Sequence, residues 1–370
     1  MKALVWSARI IVGLLFIFSG LVKANDPLGL SYKMQEFFEI WGWHSLNDHT
    51  LLSSVLMNAF EIIAGFALLL GWRVKLFTWL LLIMIVFFTF LTGYTYVTGK
   101  PANCGCFGDC LPITSKTSFL KDVVLTILIA FLVWKHKYIQ PVLTPKLRLI
   151  IMGMVTVFSF GLQWYALTYL PPVDCLPFKK GNSIPEKMQP PANAIPDSFA
   201  IRFVYEKDGK RFEFAPSELP ANLGEYTYVS REDKLVRKGN ADPKIKGFRL
   251  SDAENNDRTT EVLSQPQALI LFIEHFDDVP FSKWSDELKK IHQLAIQKQT
   301  PLYVVARFAD DVKAKLASVG MGDLEVFTAD VVAIHTAART NPCLYLLRNG
   351  VIIDKQGYKR FGDISAALSK

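Results

Sequence analysis

The sequence predicts an all-α membrane bundle of about five transmembrane helices joined to a C-terminal α/β domain. Two observations carry this. Apolar residues are concentrated before Leu170, where several runs are long enough to span a bilayer, whereas the rest of the 370-residue chain has the mixed polarity of a soluble domain. Residues 266–370 alternate short strand-like runs with amphipathic helical ones and close on a hairpin, the order expected of an α/β sandwich.

Residues 4–22 form the first span, apolar apart from Ser7, Arg9, Ser19 and two glycines. It is too long for a signal-peptide core and has no clear small-x-small cleavage site, so it is expected to be retained. A polar and aromatic connector follows at residues 24–50, with Trp41, Trp43, His44 and His49; indole rings suit the membrane interface. The second span, residues 51–70, contains Asn58 and Glu61. Arg73 and Lys75 make a basic turn before the third span at residues 74–96. The fourth, residues 119–134, opens with Lys121 and Asp122 and closes on Lys135-His136-Lys137. The fifth, residues 149–170, follows Lys146 and Arg148.

This divides the chain into a four-helix membrane unit at residues 1–140, a fifth transmembrane helix at 141–170, and a proline-rich tether at 171–198. A hairpin and loop-rich extension follows at 199–265, in which Lys207-Asp208-Gly209 turns between strand-like runs at 199–205 and 210–214. The α/β domain occupies 266–370. Its strands are expected at 268–273, 301–306 and 324–328, its helices at 281–297, 310–319 and 331–338. A hairpin around Arg348-Asn349-Gly350 and a terminal helix at 363–368 complete it.

The formal net charge of +7 is explained by lysine and arginine beside membrane segments. No basic, aromatic-interleaved face appears in the soluble half, so membrane lipids are expected as a partner and nucleic acid is not. Lys2, the Arg73/Lys75 turn and the basic connector from Lys135 to Arg148 favour a cytoplasmic N-terminus, against which Lys23, Lys33, Lys100, Lys116 and Lys121 weigh. An odd number of spans then places everything after residue 170 outside. In a bacterial inner membrane that side is the periplasm, where disulfides persist. All five cysteines (104, 106, 110, 175 and 343) fall there.

Three of them lie in the loop Cys104-Gly105-Cys106-Phe107-Gly108-Asp109-Cys110. A Cys104–Cys106 bridge would close a small, strained and reducible ring; either of these with Cys110 relaxes it, and Cys175 stands at the same face, able to pair with any of the three. One reading is a dithiol/disulfide relay that passes electrons to membrane quinone. The other is static disulfides that pin the loop and the tether. Cys-x-Cys-x3-Cys lacks the Cys-x2-Cys pairs usual in metal sites, so no metal is expected. Asp109 and Asp122 are candidate acceptors for a thiol proton; alternatively Asp109 caps a turn and Asp122 pairs with Lys121. Glu61 near a span centre must face protein or a water-filled cavity. It either pairs with Arg9 to fix the bundle or lines a quinone or proton pocket with Asn58 and Arg9.

In the soluble domain, Thr340-Asn341-Pro342 directly before the hairpin makes the order of elements resemble the thioredoxin fold, in which a cis-proline faces a redox dithiol. The resemblance implies an α/β thioredoxin-like periplasmic domain. It departs from the family after the first strand, where Glu274-His275-Phe276-Asp277-Asp278-Val279-Pro280 contains no cysteine, so a nucleophilic dithiol is not implied. Glu274 and His275 are expected at the surface there, and Cys343 reads as a buried strand residue or, beside the proline, as a thiol close to where that dithiol would have been. The membrane half resembles the DoxX/MauE group through Arg9 with Phe18-Ser19-Gly20-Leu21-Val22-Lys23, Glu61 with Gly65 and Leu68-Leu69-Leu70-Gly71, Cys104-Gly105-Cys106-Phe107-Gly108 and Phe119-Leu120-Lys121-Asp122. The combination resembles an architecture of Bacteroidetes-type bacteria. It implies a thiol- or quinone-linked redox component serving secreted-protein maturation, with a periplasmic client protein as partner. The competing expectation is a non-catalytic accessory subunit of an envelope complex whose thioredoxin-like domain is a binding module.

Overall fold

The computed structural model describes all residues except 102–107, 109, 112, 238, 275, 277, 278 and 370. The chain begins with α1 (Lys2–Ala24), α2 (Pro27–Ile40), α3 (Thr50–Leu70), α4 (Val74–Thr98), α5 (Ser115–Trp134) and α6 (Pro145–Tyr169). Among the described residues five helices are long and apolar enough to cross a membrane: α1, α3 with the turn before it, α4, α5 and α6. The protein is therefore a membrane protein, and the side chains that point outward, such as Leu4, Ile83, Ile127 and Val157, are apolar as lipid contact requires.

The α1–α3 pair organises the bundle. The helices run antiparallel and cross where both present glycine. A methyl on Gly65 would lie 2.7 Å from the Gly13 carbonyl oxygen, and one on Gly20 would lie 2.7 Å from the Ile62 side chain. Small residues let transmembrane backbones approach where no hydrophobic force drives association. At the end of α3, Gly71 adopts the left-handed conformation at φ 69° and stops the helix. Arg9 completes that cap: its guanidinium donates to the carbonyls of Leu68 (2.8 Å), Leu69 (2.6 Å) and Gln140 (2.9 Å), placing positive charge on a helix C-terminus. Thr114 and Thr144 cap α5 and α6, accepting from the amides of Thr117 and Leu147.

One helix lies where the sequence suggested only a connector. Asp26 accepts from the Gly29 amide and Pro27 occupies the first turn, so Asp-Pro starts α2. Its polar contacts hold it on α3: Ser31 bonds Thr50 at 2.9 Å, and Ser54 donates to the Pro27 carbonyl at 2.7 Å.

Beyond a short α7 (Ile184–Lys187), the strands β1 (Ser198–Lys207), β2 (Lys210–Phe214) and β3 (Thr227–Arg237) form an antiparallel sheet in the order β2-β1-β3. The expected hairpin turn is present, with Asp208 and Gly209 both at positive φ. β3 was not expected. Its Arg231-Glu232-Asp233-Lys234 run reads as loop because neither face of this sheet is buried deeply enough to impose alternation.

Then follow α8 (Thr259–Leu263), β4 (Ala268–Ile273), α9 (Ser285–Gln297), β5 (Leu302–Ala306), α10 (Ala309–Ala317), β6 (Glu325–Thr328), α11 (Val331–Ala337), β7 (Cys343–Arg348), β8 (Val351–Gly357) and α12 (Phe361–Ser369). The sheet order is β6-β5-β4-β7-β8, with β4, β5 and β6 parallel and β7 and β8 antiparallel. Both faces are covered. Phe248, Phe272, Tyr345 and α11 pack on one side, and Trp284 just before α9, Leu288 of α9 and Phe361 of α12 on the other. That is why β4 reads as an unbroken apolar run. The Asn341–Pro342 bond is cis, directly before β7. This is a thioredoxin-like domain.

The close α1–α3 contact yields a direct test. Gly65→Leu is expected to lower bundle stability by roughly 1–3 kcal/mol through overpacking. Gly153→Leu, at a position with nothing within 4 Å, should leave it unchanged. Thermal unfolding of both variants in detergent decides this; equal midpoints would show that the helices do not meet at Gly65.

Candidate functional site

The site is organised by the disulfide Cys110–Cys175, which joins the loop between α4 and α5 to the chain just after α6, with 4.8 Å between the Cα atoms. Asn25, at the end of α1, lies against it. Its amide donates to the Val173 carbonyl and accepts from the Val173 amide, both at 2.9 Å, and Nδ2 stands 4.0 Å from Cys110 Sγ. Of the residues singled out in the loop, Cys104, Cys106 and Asp109 lie outside the described residues. The disulfide, α2 and the thioredoxin-like domain are thus gathered at the bundle end where α1 finishes.

Charged groups are buried in the bundle below. Lys23 and Glu61 form an ion pair at 3% and 1% exposure. Lys23 Nζ also lies 4.8 Å from the Phe88 ring centre. Asp122 is paired with Lys121 at 2.9 Å and accepts from the Thr92 hydroxyl at 3.1 Å. Lys23, Glu61, Phe88, Lys121 and Asp122 line a common cavity of about 30 Å³, enough for water. Deeper toward α6, Asn58 donates to Gln163 at 3.2 Å, and Gln163 donates to the Val55 and Ser159 carbonyls. Among the described residues, Glu61 Oε2 and Asn58 Oδ1 are buried without a hydrogen-bond partner.

Two expectations need correction. Arg9 does not pair with Glu61 or join its pocket. The antiparallel register sets Gly20, not Arg9, beside Glu61, and the eleven helical steps from Arg9 to Gly20 amount to roughly 16 Å. Lys23, read in the sequence as a topology charge and as part of the motif that resembles DoxX/MauE, is the real partner. Glu274 is likewise not a free surface group. It is half-buried, its carboxylate 2.6 Å from His335 Nε2 and its amide donating to Asn341 Oδ1 at 3.1 Å. His275 lies outside the described residues. Asp122 is engaged by Lys121 and Thr92, and no cysteine sulfur figures among those described contacts.

The thioredoxin-like domain sits on the bundle through the face that carries Pro342. Tyr32 of α2 stacks on His335 with ring centres 3.7 Å apart, and Arg339 pairs with Asp26 at 3.0 Å. Thr340 donates to the Leu167 carbonyl, and Lys355 reaches Asp174 at 2.5 Å. Between α2 and this face runs a cleft of about 720 Å³ bordered by Gln35, Asp48, Glu274, Thr340 and Asn341. Sequence reasoning missed Asn25, Tyr32 and His335. The Asp-Pro start of α2 was the available signal for this docking. Cys343 is fully buried, and burial pushes its thiol up to about 12 against a partial lowering by Lys355.

With this geometry in place, comparison with known proteins is informative. Residues 1–135 match the family of methylamine utilisation protein MauE. The membrane half is MauE-like. Residues 199–238, the three-stranded sheet, match a family described as a domain of unknown function (DUF8463). A solved structure titled as the C-terminal domain of a proposed thiol-disulfide oxidoreductase from Bacteroides thetaiotaomicron shares 20% identity, covering 33% of this chain and 92% of that one at a TM-score of 0.27. No curated protein matches the chain. Residues 1–135 are thus similar to MauE proteins, in front of a domain whose sheet order and cis-proline are thioredoxin-like.

Two outcomes follow. At pH 8 a thiol with a pKa of about 12 is thiolate to about one part in 10⁴, so Cys343 should resist maleimide in the folded protein and react at once in denaturant. Labelling of Cys343 under native conditions would contradict its burial. Glu61→Gln should cost about 3–5 kcal/mol because it strands a buried ammonium, whereas Lys23→Met with Glu61→Leu should recover most of that loss. Unfolding midpoints of the two proteins provide the comparison.

Proposed function

We propose that the protein is a membrane thiol–disulfide component, linked to quinone, that serves maturation of secreted proteins on the periplasmic side of a bacterial inner membrane. The observation that carries this reading is the Cys110–Cys175 disulfide at the mouth of a bundle whose interior holds two ion pairs. In this reading Cys110 and Cys175 exchange with a client, and Cys104 and Cys106 of the same loop supply the second thiol pair. Asp109 is the proposed acceptor of thiol protons, while Asp122 is held by Lys121 and Thr92.

Quinone is the proposed electron acceptor, and it would supply the two-electron, two-proton sink. The Lys23 ammonium is a donor for a quinone oxygen and Glu61 Oε2 an acceptor for a quinol hydroxyl, but the cavity they line, about 30 Å³, has room for water and not for a quinone ring, so quinone would need this pocket to open. Arg9 has no place there, since its donors are taken up by the carbonyls that end α3 and precede Pro141.

Differential alkylation with mass spectrometry, on protein from cells grown with and without quinone, tests the proposal. Cys110 and Cys175 are expected as free thiols in a larger fraction when quinone is depleted. Full oxidation in both conditions, together with undiminished secreted-protein maturation in Cys110→Ser cells, would leave only a structural disulfide.

A second reading, a non-catalytic accessory subunit of an envelope complex, is favoured by the thioredoxin-like domain. The segment 274–280 directly after β4 contains no cysteine, and Glu274, His335 and Asn341 make a bonded cluster beside the cis-proline. Under that reading the domain is a binding module, and stable co-purification with an integral membrane partner in mild detergent is its expected signature.

A further inference from the structure

We propose that the Cys110–Cys175 disulfide has a fixed polarity: a thiol on an extended segment of a partner polypeptide enters between α2 and α11 and attacks the Cys175 sulfur, and Cys110 departs as thiolate. This rests on the reading that the disulfide exchanges, and adds which sulfur is the entrance and where the client lies.

Access comes first. A groove of about 350 Å³ runs between α2 and α11, and Cys175 is among the residues lining it, whereas Cys110 is not. Lys33 and Glu36 of α2 form one wall, Val332 of α11 and Lys244 the other, with Pro177 beside the sulfur. The walls carry both signs of charge, and Val332 is 59% exposed. A polypeptide, with amide dipoles along its length and apolar side chains between them, matches such a mixed lining better than a small charged thiol does.

Charge stabilisation points the same way. Exchange requires attack in line with the S–S bond, and the sulfur with the better-stabilised thiolate leaves faster. Cys110 Sγ lies 4.0 Å from the Asn25 side-chain nitrogen, a donor that two bonds to Val173 hold in place in a buried setting. Cys175 Sγ lies 3.7 Å from the Val173 carbonyl oxygen, which opposes negative charge there. Negative charge is therefore favoured on Cys110 and disfavoured on Cys175. Both cysteines are half-buried, and the sulfur that lines the groove and the poorer leaving sulfur are the same one.

The step balances as follows. The client thiolate forms a bond to Cys175 Sγ while the Cys175–Cys110 bond breaks and its electron pair passes to Cys110. The client's second thiolate then attacks the client sulfur of the mixed disulfide and releases Cys175. The client has lost two electrons and two thiol protons, the cysteine pair has gained two electrons, and both protons are available to the two new thiolates.

Mapping the first adduct tests this. Purified full-length oxidised protein is mixed with a peptide containing one cysteine, quenched rapidly, alkylated and digested for mass spectrometry. The peptide is expected on Cys175 with the alkyl group on Cys110, at roughly tenfold excess over the reverse. Adducts on Cys110, equal adducts on both, or no adduct at all would each overturn the polarity. A parallel reaction with glutathione at matched thiolate concentration should be slower than the peptide; an equal or faster rate would remove the groove as a polypeptide seat. Asn25→Asp keeps the acceptor for the Val173 amide but replaces the donor, and should slow adduct formation roughly tenfold; an unchanged rate would overturn the assigned role of Asn25. The two proposals fail separately. A pair that cycles with quinone in cells but is attacked at Cys110 defeats the polarity alone. A pair always oxidised in cells yet attacked at Cys175 in solution defeats the function alone.

Discussion

The structure depends on how closely α1 and α3 approach. Gly13 against Gly65, and Gly20 against Ile62, allow backbone contact that any larger side chain would prevent. That contact fixes the register, and the register decides which charges meet. Arg9 falls at the carbonyls that end α3, and Lys23 falls beside Glu61. Two cations on one apolar helix thus acquire unrelated tasks: one finishes a neighbouring helix, the other is buried in a polar interior. In a low-dielectric bundle an ammonium and a carboxylate separated by a different register would each have to leave the core or lose charge.

The upper end of the bundle is assembled from pieces far apart in the chain. Asn25 at the exit of α1 clasps Val173, Tyr32 of α2 stacks on His335, and Asp26 holds Arg339. Each belongs to the short stretch between the first two spans, so this stretch connects membrane and soluble parts. The disulfide lies within the same assembly. A thioredoxin-like domain that has no dithiol after its first central strand is seated here by the face that carries its cis-proline, beside cysteines supplied by another part of the chain.

Much of this was legible in the sequence for a simple reason. Spans and central strands are dictated by burial, and burial leaves long apolar runs; β4, covered on both faces, is apolar throughout. Hairpin turns were legible because Asp208-Gly209 and Asn349-Gly350 satisfy a positive-φ requirement few residues meet. α2 was hidden because it is too polar for a span and too aromatic for an ordinary surface helix. β3 was hidden because a sheet with two open faces imposes no alternation. The partner of Glu61 was out of reach for a different reason: pairing depends on interhelical register, and an apolar sequence with several glycines does not say which of them cross.

The disulfide also bears on how the molecule is made. Its two sulfurs are 65 residues apart, and between them lie α5 and α6, both of membrane-spanning length. The bond therefore ties off a covalent loop containing two spans. Cys175 can reach Cys110 only once both helices have crossed and the chain has emerged beside its starting side, so closure follows insertion and cannot precede it. Oxidation at this point thus marks a chain whose last two spans have been threaded.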